Sequence, residues 1–374
     1  MKKLLSLFLM FIFIFITGCS DEKNVSDKIE PQYDTVTKTI HQIAMLCEDG
    51  KIIGNNMHYK DSITKDWEDV IEIKEISLEV ESGIDMIFGM IGLKKDGTVI
   101  ISDIGDKYFS YPYIFTDEVN YDEKYKKSYK EKIKSLKNIV DIAFGYHNIY
   151  ALKEDGTIDV INTYEDANKI KIENMENDIF YEDESEKYKE YLSEKERIIE
   201  EIENLKNVKA IESAEEHFVA ILDDGSVIYK NFGDYENKIF EKISEWENIS
   251  KIEICNFLVV GIKKDGTIVY EEKEENLNNR ISKKWKNIKN VAIDSENPFC
   301  NYIIAVKEDG KILYSETKNN YDFSELEKWE NIENVYTSCG FVIGIKKDGS
   351  IVTCGDIKQK NLNKEEVKNL KVNK

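Results

Sequence analysis

The sequence predicts an all-β protein, a repeat-built β-propeller with short helical insertions, preceded by an export signal. Three observations predict it. Seven Asp-Gly pairs stand in one common frame, a second signature recurs upstream of them, and an apolar segment near the amino terminus ends at a cysteine. Self-similarity of this kind is typical of repeat proteins, in which each repeat is one small supersecondary unit.

The Asp-Gly pairs are flanked by the same residue types each time. An aliphatic residue lies three positions before each Asp, and a β-branched residue lies three positions after it. Because glycine adopts positive φ without strain, an Asp-Gly turn between two such segments predicts a β-hairpin. The pairs are Asp49-Gly50, Asp96-Gly97, Asp155-Gly156, Asp224-Gly225, Asp265-Gly266, Asp309-Gly310 and Asp348-Gly349.

Four residues before each Asp, six of the seven repeats carry Gly or Ala, and Met45 is the exception. A glycine inside a strand indicates that other atoms approach the backbone closely. We expect adjacent blades, wedged around a narrow axis, to impose this restriction. The six residues are Gly92, Ala151, Ala220, Gly261, Ala305 and Gly344.

The upstream signature is a Trp or Leu, two further residues, and then Ile or Val. All four tryptophans of the chain occupy its first position. Each repeat therefore reads as an anchor, a strand, a turn, a strand, an Asp-Gly turn and a strand, which predicts a small antiparallel sheet. The instances are Trp67-Glu-Asp-Val70, Leu136-Lys-Asn-Ile139, Leu205-Lys-Asn-Val208, Trp246-Glu-Asn-Ile249, Trp285-Lys-Asn-Ile288 and Trp329-Glu-Asn-Ile332.

These repeats resemble those of the regulator-of-chromosome-condensation family. The best matches are the segment from Ile142 to Ile158 and the segment from Gly344 to Asp356. The resemblance covers residues 35–374 and implies an all-β, seven-bladed β-propeller of regulator-of-chromosome-condensation-like repeats, with insertions at about 106–134 and 164–204. A Trp-Asp repeat propeller would show Gly-His and Trp-Asp pairs, and a β-solenoid would show short, near-constant repeats. The sequence favours neither.

Residues 1–18 read as a secretory signal peptide. Lys2 and Lys3 precede an apolar run from Leu4 to Ile16, and Thr17-Gly18 then precede Cys19. A charged start, an apolar stretch of this length and a small-residue cleavage site define such a signal. The ending resembles the lipobox of bacterial lipoproteins, which implies lipidation of Cys19. Residues 19–34 are polar and suit a tether, and the expected location is the extracytoplasmic side of a bacterial cell membrane.

Loss of the signal removes two lysines, which leaves 50 basic and 73 acidic residues and a net charge of −23. A protein that binds nucleic acid needs a basic face, so this balance argues against nucleic acid as a partner. The five further cysteines (Cys47, Cys255, Cys300, Cys339 and Cys354) show neither zinc-site spacing nor an even number. We expect buried thiols rather than a disulfide framework.

The insertion at 106–134 opens with an aromatic stretch, and Tyr121, Tyr125, Tyr129 and Ile133 follow it at helical spacing. The insertion at 164–204 also contains a helical stripe of aromatic and aliphatic residues. Such stripes are usually buried, so packing against the propeller is the expected role for both. The aromatic stretch is nevertheless the candidate binding patch, because tyrosine and phenylalanine are common at interfaces. Its residues are Tyr108, Phe109, Tyr111, Tyr113 and Phe115.

Catalytic and metal motifs are not evident in the sequence. His147 and His217 occupy corresponding loops and could approach each other, with Glu215 or Glu216 as a further ligand, but ordinary loop histidines are the favoured interpretation. Calcium at the Asp-Gly turns is disfavoured, because one Asp in each turn supplies too few oxygens. We expect no cofactor, no metal and no catalytic residue.

The favoured function is a non-catalytic scaffold that binds an unknown envelope protein or glycan, anchored in the membrane through Cys19. The alternative is an envelope enzyme, a glycan hydrolase or lyase that uses the channel mouth of the propeller. Perturbed carboxyl groups that converge in one mouth would favour the enzyme.

The lipid anchor gives a first prediction. Cys19→Ala removes the thiol that would be acylated, so labelling by a fatty-acid probe should be lost, and the chain should accumulate uncleaved or be released. Cys47→Ala is the matched control and should label normally. Labelling of the Cys19→Ala chain at the level of the natural protein would contradict the anchor.

Overall fold

The computed structural model describes residues 36–39, 42–47, 52–54, 67–79, 86–102, 130–145, 147–163, 168, 172, 175, 182–233, 238–255, 258–272, 285–294, 302–315, 321–338 and 340–355. Tyr33–Lys374 forms one compact unit, distinct from Met1–Gln32. All of the residues described belong to the Tyr33–Lys374 unit.

The strands of this unit form three-stranded antiparallel sheets, each made of three consecutive strands with the middle strand in the centre. We call these sheets blades 1 to 7 in chain order. Blade 1 contains β1 (Val36–Thr39), β2 (Gln42–Leu46) and β3 (Ile52–Gly54), and blade 2 contains β4 (Val70–Glu79), β5 (Met86–Lys94) and β6 (Val99–Ile101). Blade 3 contains β7 (Ile139–Gly145), β8 (Asn148–Lys153) and β9 (Ile158–Asn162), and blade 4 contains β10 (Val208–Ala214), β11 (His217–Leu222) and β12 (Val227–Asn231). Blade 5 contains β13 (Ile249–Cys255), β14 (Leu258–Lys263) and β15 (Ile268–Glu272). Blade 6 contains β16 (Ile288–Ile293), β17 (Ile303–Lys307) and β18 (Ile312–Tyr314), and blade 7 contains β19 (Ile332–Ser338), β20 (Phe341–Lys346) and β21 (Ile351–Cys354).

The blades stand in a ring with their first strands innermost. The first strand of each blade contacts the first strand of the next, and β1 contacts both β4 and β19, which closes the ring. Outer strands β9, β12, β15 and β18 contact helices instead. The fold is a β-propeller, as predicted.

The predicted hairpin register is confirmed in every blade. The residues three before and three after each Asp are partners across the hairpin that joins the second and third strands. These pairs are Leu46↔Ile52, Leu93↔Val99, Leu152↔Ile158, Ile221↔Val227, Ile262↔Ile268, Val306↔Ile312 and Ile345↔Ile351.

The Asp-Gly glycines have the positive φ that the turn requires. The φ angles of Gly97, Gly156, Gly225, Gly266, Gly310 and Gly349 lie between 74° and 88°. A second constraint was not expected from the sequence. A Cβ added to Gly266 would lie 2.9 Å from Cα of Asn287 in the next blade, and Gly97, Gly156, Gly225 and Gly310 face the equivalent Asn in the same way.

The Asn of the upstream signature is therefore the residue against which the Asp-Gly glycine of the preceding blade packs. It is itself in the left-handed region, with φ of 57° to 61° at Asn138, Asn207, Asn248, Asn287 and Asn331. Asn tolerates this conformation better than most residues with a side chain. Asp69 takes the same place in blade 2, with φ of 58°.

Two backbone hydrogen bonds complete each joint between blades. Ile288 N–H donates to the Gly266 carbonyl of the preceding blade at 3.0 Å, and the Asn287 carbonyl accepts from Glu308 N–H of its own blade at 2.8 Å. The same pair of bonds recurs at the joints from blade 2 to blade 7, so each of these turns is tied to the turn of the following blade.

The prediction that adjacent blades confine the small residue four before the Asp is wrong for the glycines at this position. The atoms that approach each glycine belong to the tryptophan of its own blade, not to a neighbouring blade. A Cβ on Gly92 would lie 2.8 Å from Cζ3 of Trp67, and one on Gly344 would lie 2.6 Å from Cζ3 of Trp329. Leu136 and Leu205 occupy the tryptophan position in blades 3 and 4, and these smaller anchors accompany Ala151 and Ala220.

Helical segments lead into the anchor in four blades. They are residues 130–135, α1 (Glu182–Glu203), and two 3₁₀ helices, Lys238–Glu245 and Ser324–Lys328. In each, a fully buried residue three before the anchor accepts its backbone N–H at 2.9 to 3.1 Å. These residues are Ile133, Ile202, Ile243 and Leu326.

The expected packing of the helical stripes of the two insertions against the propeller is confirmed for their described residues. Ile198 and Ile202 of α1 lie in the core between blades 3 and 4, and Ile133 is buried between blades 2 and 3. Cys47, Cys255 and Cys354 are buried. No helix in the described part of the chain combines the length and the hydropathy needed to cross a bilayer.

The joint gives a second prediction. Gly266→Ala forces a side chain into the left-handed region and against Asn287, which should lower the free energy of unfolding by on the order of 2 kcal/mol. Thermal and urea unfolding measure the loss. Lys95→Ala changes an exposed residue of an equivalent turn and should be nearly silent. Equal stability of the two variants would contradict the joint.

Candidate functional site

The two ends of the blades differ in what they carry. The Asp-Gly turns and the joints lie at one end, which we call the turn face. At the other end the first strand of each blade connects to the second, the third strand ends, and the chain departs towards the next blade. We call this end the insertion face.

The predicted binding patch belongs to a segment that departs from the insertion face. Tyr108, Phe109, Tyr111, Tyr113 and Phe115 lie outside the described residues, as does Cys19. The last described residue before them, Ser102, is buried at the end of β6. Its hydroxyl accepts Met90 N–H at 2.9 Å, and its own N–H donates to the Met90 carbonyl at 2.8 Å. The point of departure is thus fixed to the middle strand of blade 2.

The same device ends the third strand in two other blades. Ser315 accepts Ile303 N–H on its hydroxyl at 2.9 Å, and the Thr163 hydroxyl donates to the His147 carbonyl at 2.7 Å. A short hydroxyl side chain satisfies a backbone group at the strand end, where the sheet ladder stops. The only sequence signal for these residues is a Ser or Thr directly after the third strand, in blades 2, 3 and 6.

A buried tyrosine, Tyr302, bonds blade 6 to blade 7 at the insertion face. The Tyr302 hydroxyl accepts Gly340 N–H at 2.8 Å and lies 2.6 Å from the Thr337 hydroxyl. Because Thr337 donates its own proton to the Phe341 carbonyl, Tyr302 is the donor to Thr337. Burial raises the pKa of Tyr302, and the carboxylate of Asp294 adds to this, so the phenol stays protonated. The network fixes the hairpin that joins β19 to β20.

The two histidines that the sequence singled out have different surroundings. His217 is buried, its Nδ1 lies 2.9 Å from the Tyr229 hydroxyl, and its ring packs edge-on against Phe240. Burial raises the pKa of Tyr229, and the carboxylates of Glu216 and Glu241 raise it further, so this phenol stays protonated. His217 is therefore packed among aromatic rings and bonded to a phenol at the blade 4 end of the face.

His147 sits in the tight connection between β7 and β8, with φ of 60°. Its carbonyl accepts from both Thr163 N–H and the Thr163 hydroxyl, which ties the connection to the end of β9. Within the described ranges, no group of three His, Cys, Asp or Glu side chains is placed to hold a metal ion. His217 thus has a role in packing, and His147 has a role in a tight turn.

Helix α1 runs along the outer strands of blades 3 and 4. Near the end of β12, the ammonium of Lys195 donates to the Phe232 carbonyl and lies 4.6 Å from the centre of the Tyr191 ring. Towards the turn face, Glu201 bonds Lys230 at 2.6 Å, and this bond lowers the pKa of the Glu201 carboxyl. Lys195 thus lies level with the end of the sheet. The residues of α1 that precede it continue past the sheet end, on the insertion side.

The inner strands carry polar side chains that meet across the ring. Lys74 of blade 2 lies 3.7 Å from Glu72 and 3.8 Å from Glu212 of blade 4. Side chains of blades that are not adjacent therefore approach each other over blade 3. Farther around the ring, Lys251 donates to Asn290 at 2.7 Å, and Asn290 donates to Asn334 at 2.8 Å. These contacts fill part of the central channel with protein groups.

The turn aspartates are used within their own turns. Asp265 accepts Thr267 N–H at 2.9 Å and the Thr267 hydroxyl at 2.6 Å. The hydroxyl bond, with the backbone bond second, lowers the pKa of the Asp265 carboxyl, and the same holds for Asp96, Asp155 and Asp224. The turn aspartates lie one to a blade around the turn face. They stabilise their own turns and do not converge as the ligands of a calcium site.

These pKa shifts bear on the alternative function. Hydrogen bonds from neighbouring hydroxyl, amide and ammonium groups lower the pKa of seven carboxyl groups, five of them in the Asp-Gly turns, with Glu201 on α1 and Asp322 before the second 3₁₀ helix. A general acid needs a raised carboxyl pKa in a shared cleft. None of these seven groups has the raised carboxyl pKa expected of a general acid.

Comparisons with known proteins give similarities of architecture at low sequence identity. No protein-family model and no curated protein sequence matches the chain. Among solved structures, the CRINKLY WD40 ectodomain of the Arabidopsis thaliana receptor kinase ACR4 is similar over 86% of this chain and 93% of its own, with 10% identity and a TM-score of 0.45. The computationally designed Ika8 protein is similar over 87% and 85% of the two chains, with 13% identity and a TM-score of 0.39. Yeast RCC1 (Prp20), in its complex with Kap60, is similar over 88% and 71%, with 10% identity and a TM-score of 0.33.

Proposed function

We propose that this protein is a non-catalytic binding scaffold, anchored by lipid at Cys19 on the extracytoplasmic side of a bacterial cell envelope, and that it captures a protein or glycan on the insertion face. The anchor and the location are supported by the signal at residues 1–18 and by the small residues before Cys19. The acidic net charge argues against a nucleic-acid partner.

The difference between the two faces carries the proposal. At the turn face, the glycines, the left-handed asparagines and the turn aspartates are committed to the joints and to their own turns. At the insertion face, buried groups such as Ser102 and Tyr302 hold the connections in place while the chain departs from the sheets. Binding residues generally lie on loops that a rigid scaffold positions, which this end provides.

The aromatic patch is the candidate contact surface on this face. Five aromatic residues in eight positions would supply a large apolar area with hydroxyl groups at its rim, on a protein whose surface is otherwise strongly charged. Proteins and glycans both bind to such aromatic surfaces, and the composition of the patch does not separate the two.

The third prediction tests the patch. Replacing Tyr108, Tyr111 and Tyr113 by Ser should abolish partner capture, because the apolar contact area is lost, while the melting temperature stays close to that of the natural protein. Capture is measured by cross-linking in intact cells, followed by affinity purification and mass spectrometry. Parallel binding assays use purified cell-wall glycan.

A matched control replaces Glu186, Lys187 and Glu190 by Ser, three exposed residues of α1. This variant should capture the same partner as the natural protein. Early unfolding of the tyrosine variant would show that the patch is part of the core, and unchanged capture would show that another surface binds. Either outcome would overturn the assignment of the patch.

A further inference from the structure

The Asp-Gly turn of blade 6 differs in one side chain from the turns of blades 2, 3, 4, 5 and 7. Two residues after the Asp, those five turns carry a threonine or a serine, whose hydroxyl donates to the Asp carboxylate at 2.5 to 2.7 Å. Blade 6 carries Lys311 at this position, which has no hydroxyl to donate. The turn of blade 1 lies outside the described residues. The five hydroxyl residues are Thr98, Thr157, Ser226, Thr267 and Ser350.

The carboxylate of Asp309 is therefore held less firmly than its counterparts. In blade 5, Oδ1 of Asp265 accepts the Thr267 N–H at 2.9 Å and the Thr267 hydroxyl at 2.6 Å. In blade 6, Oδ1 of Asp309 accepts the Lys311 N–H at 3.1 Å, and its Oδ2 lies 3.2 Å from the Lys307 ammonium. The Asp309 side chain is 48% exposed and that of Lys307 is 28% exposed, and a solvent-exposed ion pair restrains side-chain geometry weakly.

We propose that Asp309 is a site of spontaneous covalent modification, at which aspartate isomerises to isoaspartate faster than in the turns of blades 2 to 5 and 7. Aspartate followed by glycine favours this reaction, because glycine has no side chain to hinder the approach of its nitrogen to the carboxyl carbon. This inference is independent of the proposed function, because the reactants are the turn itself and water.

The reaction has two steps. The backbone nitrogen of Gly310 attacks Cγ of the protonated Asp309 carboxyl and loses its proton, and a carboxyl oxygen leaves as water, so that a succinimide ring forms. A second water molecule then adds to the main-chain carbonyl carbon of residue 309, and the bond from this carbon to the Gly310 nitrogen breaks. The main chain now continues through Cγ, and the original carbonyl carbon becomes a free carboxylate. One water is released and one is consumed, so the mass of the protein is unchanged.

The missing hydroxyl distinguishes Asp309, because the rest of the turn is the same in blade 5. The glycine N–H donates to the carbonyl three residues earlier at 2.8 Å in both blades, at Gly266 and at Gly310. The glycine carbonyl accepts from the next blade at 3.0 Å in both, from Ile288 and from Ile332. Ring closure requires the carboxyl group to turn away from the amide two residues later and towards the glycine nitrogen. In blade 5 this rotation also breaks a hydroxyl bond to a charged acceptor, which is among the stronger hydrogen bonds of proteins.

Isoaspartate at residue 309 opens the joint between blades 6 and 7. The modification adds one carbon atom to the main chain ahead of Gly310. A Cβ placed on Gly310 would already lie 2.9 Å from Cα of Asn331, so the turn has no room for a longer backbone. The displaced Gly310 carbonyl then no longer accepts the Ile332 N–H, and the joint loses this hydrogen bond.

The experiment compares the natural protein with two reciprocal variants. Lys311→Thr supplies the hydroxyl to Asp309, and Thr267→Lys removes the hydroxyl from Asp265. The purified proteins are incubated well below their melting temperatures in a mildly acidic buffer, which increases the fraction of protonated, reactive carboxyl. Endoproteinase Asp-N cleaves before aspartate but not before isoaspartate, so digestion followed by mass spectrometry gives the isomerised fraction at each turn.

In the natural protein, isoaspartate should accumulate at Asp309 several-fold faster than at Asp265 and Asp348. Lys311→Thr should lower the rate at Asp309 to that of Asp265, and Thr267→Lys should raise the rate at Asp265 to that of Asp309. Equal rates at the three turns of the natural protein, faster reaction at Asp348 or the absence of isomerisation would overturn the proposal. Rates that the two substitutions leave unchanged would overturn it as well.

Hydrogen exchange of the aged natural protein tests the consequence for the joint. The Ile332 amide should lose protection in proportion to the isoaspartate content, whereas the Ile288 amide, which donates to Gly266, should keep its protection. Complete protection of Ile332 in isomerised protein would show that the joint survives the modification and would overturn this part of the proposal.

Discussion

The joint between an Asp-Gly turn and the next blade is the interaction on which the ring depends. A glycine with positive φ lies against an asparagine that is itself left-handed, and the following amide donates to the glycine carbonyl. Each half is unfavourable or incomplete alone, since a left-handed asparagine costs free energy and the turn carbonyl at a strand end needs a donor. Together they align consecutive blades at one end, while buried aliphatic residues fill the space between the sheets.

This arrangement gives the two faces of the propeller different structural roles. The turn face must be nearly identical in every blade, because any added side chain at the glycine would collide with the next backbone. The insertion face has no feature that recurs in every blade: a hydroxyl side chain ends the third strand in blades 2, 3 and 6, and Tyr302 bonds blade 6 to blade 7. The glycine and asparagine positions of the turn face therefore tolerate little variation, whereas the connections at the insertion face are freer to vary and suit the recognition of a specific partner.

Much of the fold could be predicted from the sequence, because the turn chemistry is local. Asp and Gly at fixed spacing from aliphatic residues specify a hairpin register without reference to distant residues, and every predicted pair is present. The joint could not be derived in this way, since it brings together residues about 20 positions or more apart, such as Gly266 and Asn287. A signal was nevertheless available: the same asparagine recurs before the first strand, and asparagine is the residue that tolerates the left-handed region best after glycine.

The error at the small residue four before the Asp has a similar origin. A glycine in a strand indicates close approach but does not identify the approaching atoms. Comparison of repeats within the chain gives a partial signal, because glycine occurs only in blades whose anchor is tryptophan (Trp67, Trp246 and Trp329), although Trp285 accompanies Ala305. The binding patch is a different case. Its aromatic composition is plain from the sequence, whereas its position cannot be derived from the repeats, because it belongs to an insertion between blades 2 and 3.

Native-state hydrogen exchange tests the joint most directly. The amides of Ile139, Val208, Ile249, Ile288 and Ile332 each donate to the glycine carbonyl of the preceding blade. If the joints hold the ring together, these amides should open only with global unfolding, and their free energies of exchange should match the free energy of unfolding of the whole propeller. Exchange of these amides at the rate of exposed turn amides, while the strand interiors stay protected, would show that the blades are held by side-chain packing alone and would contradict the account.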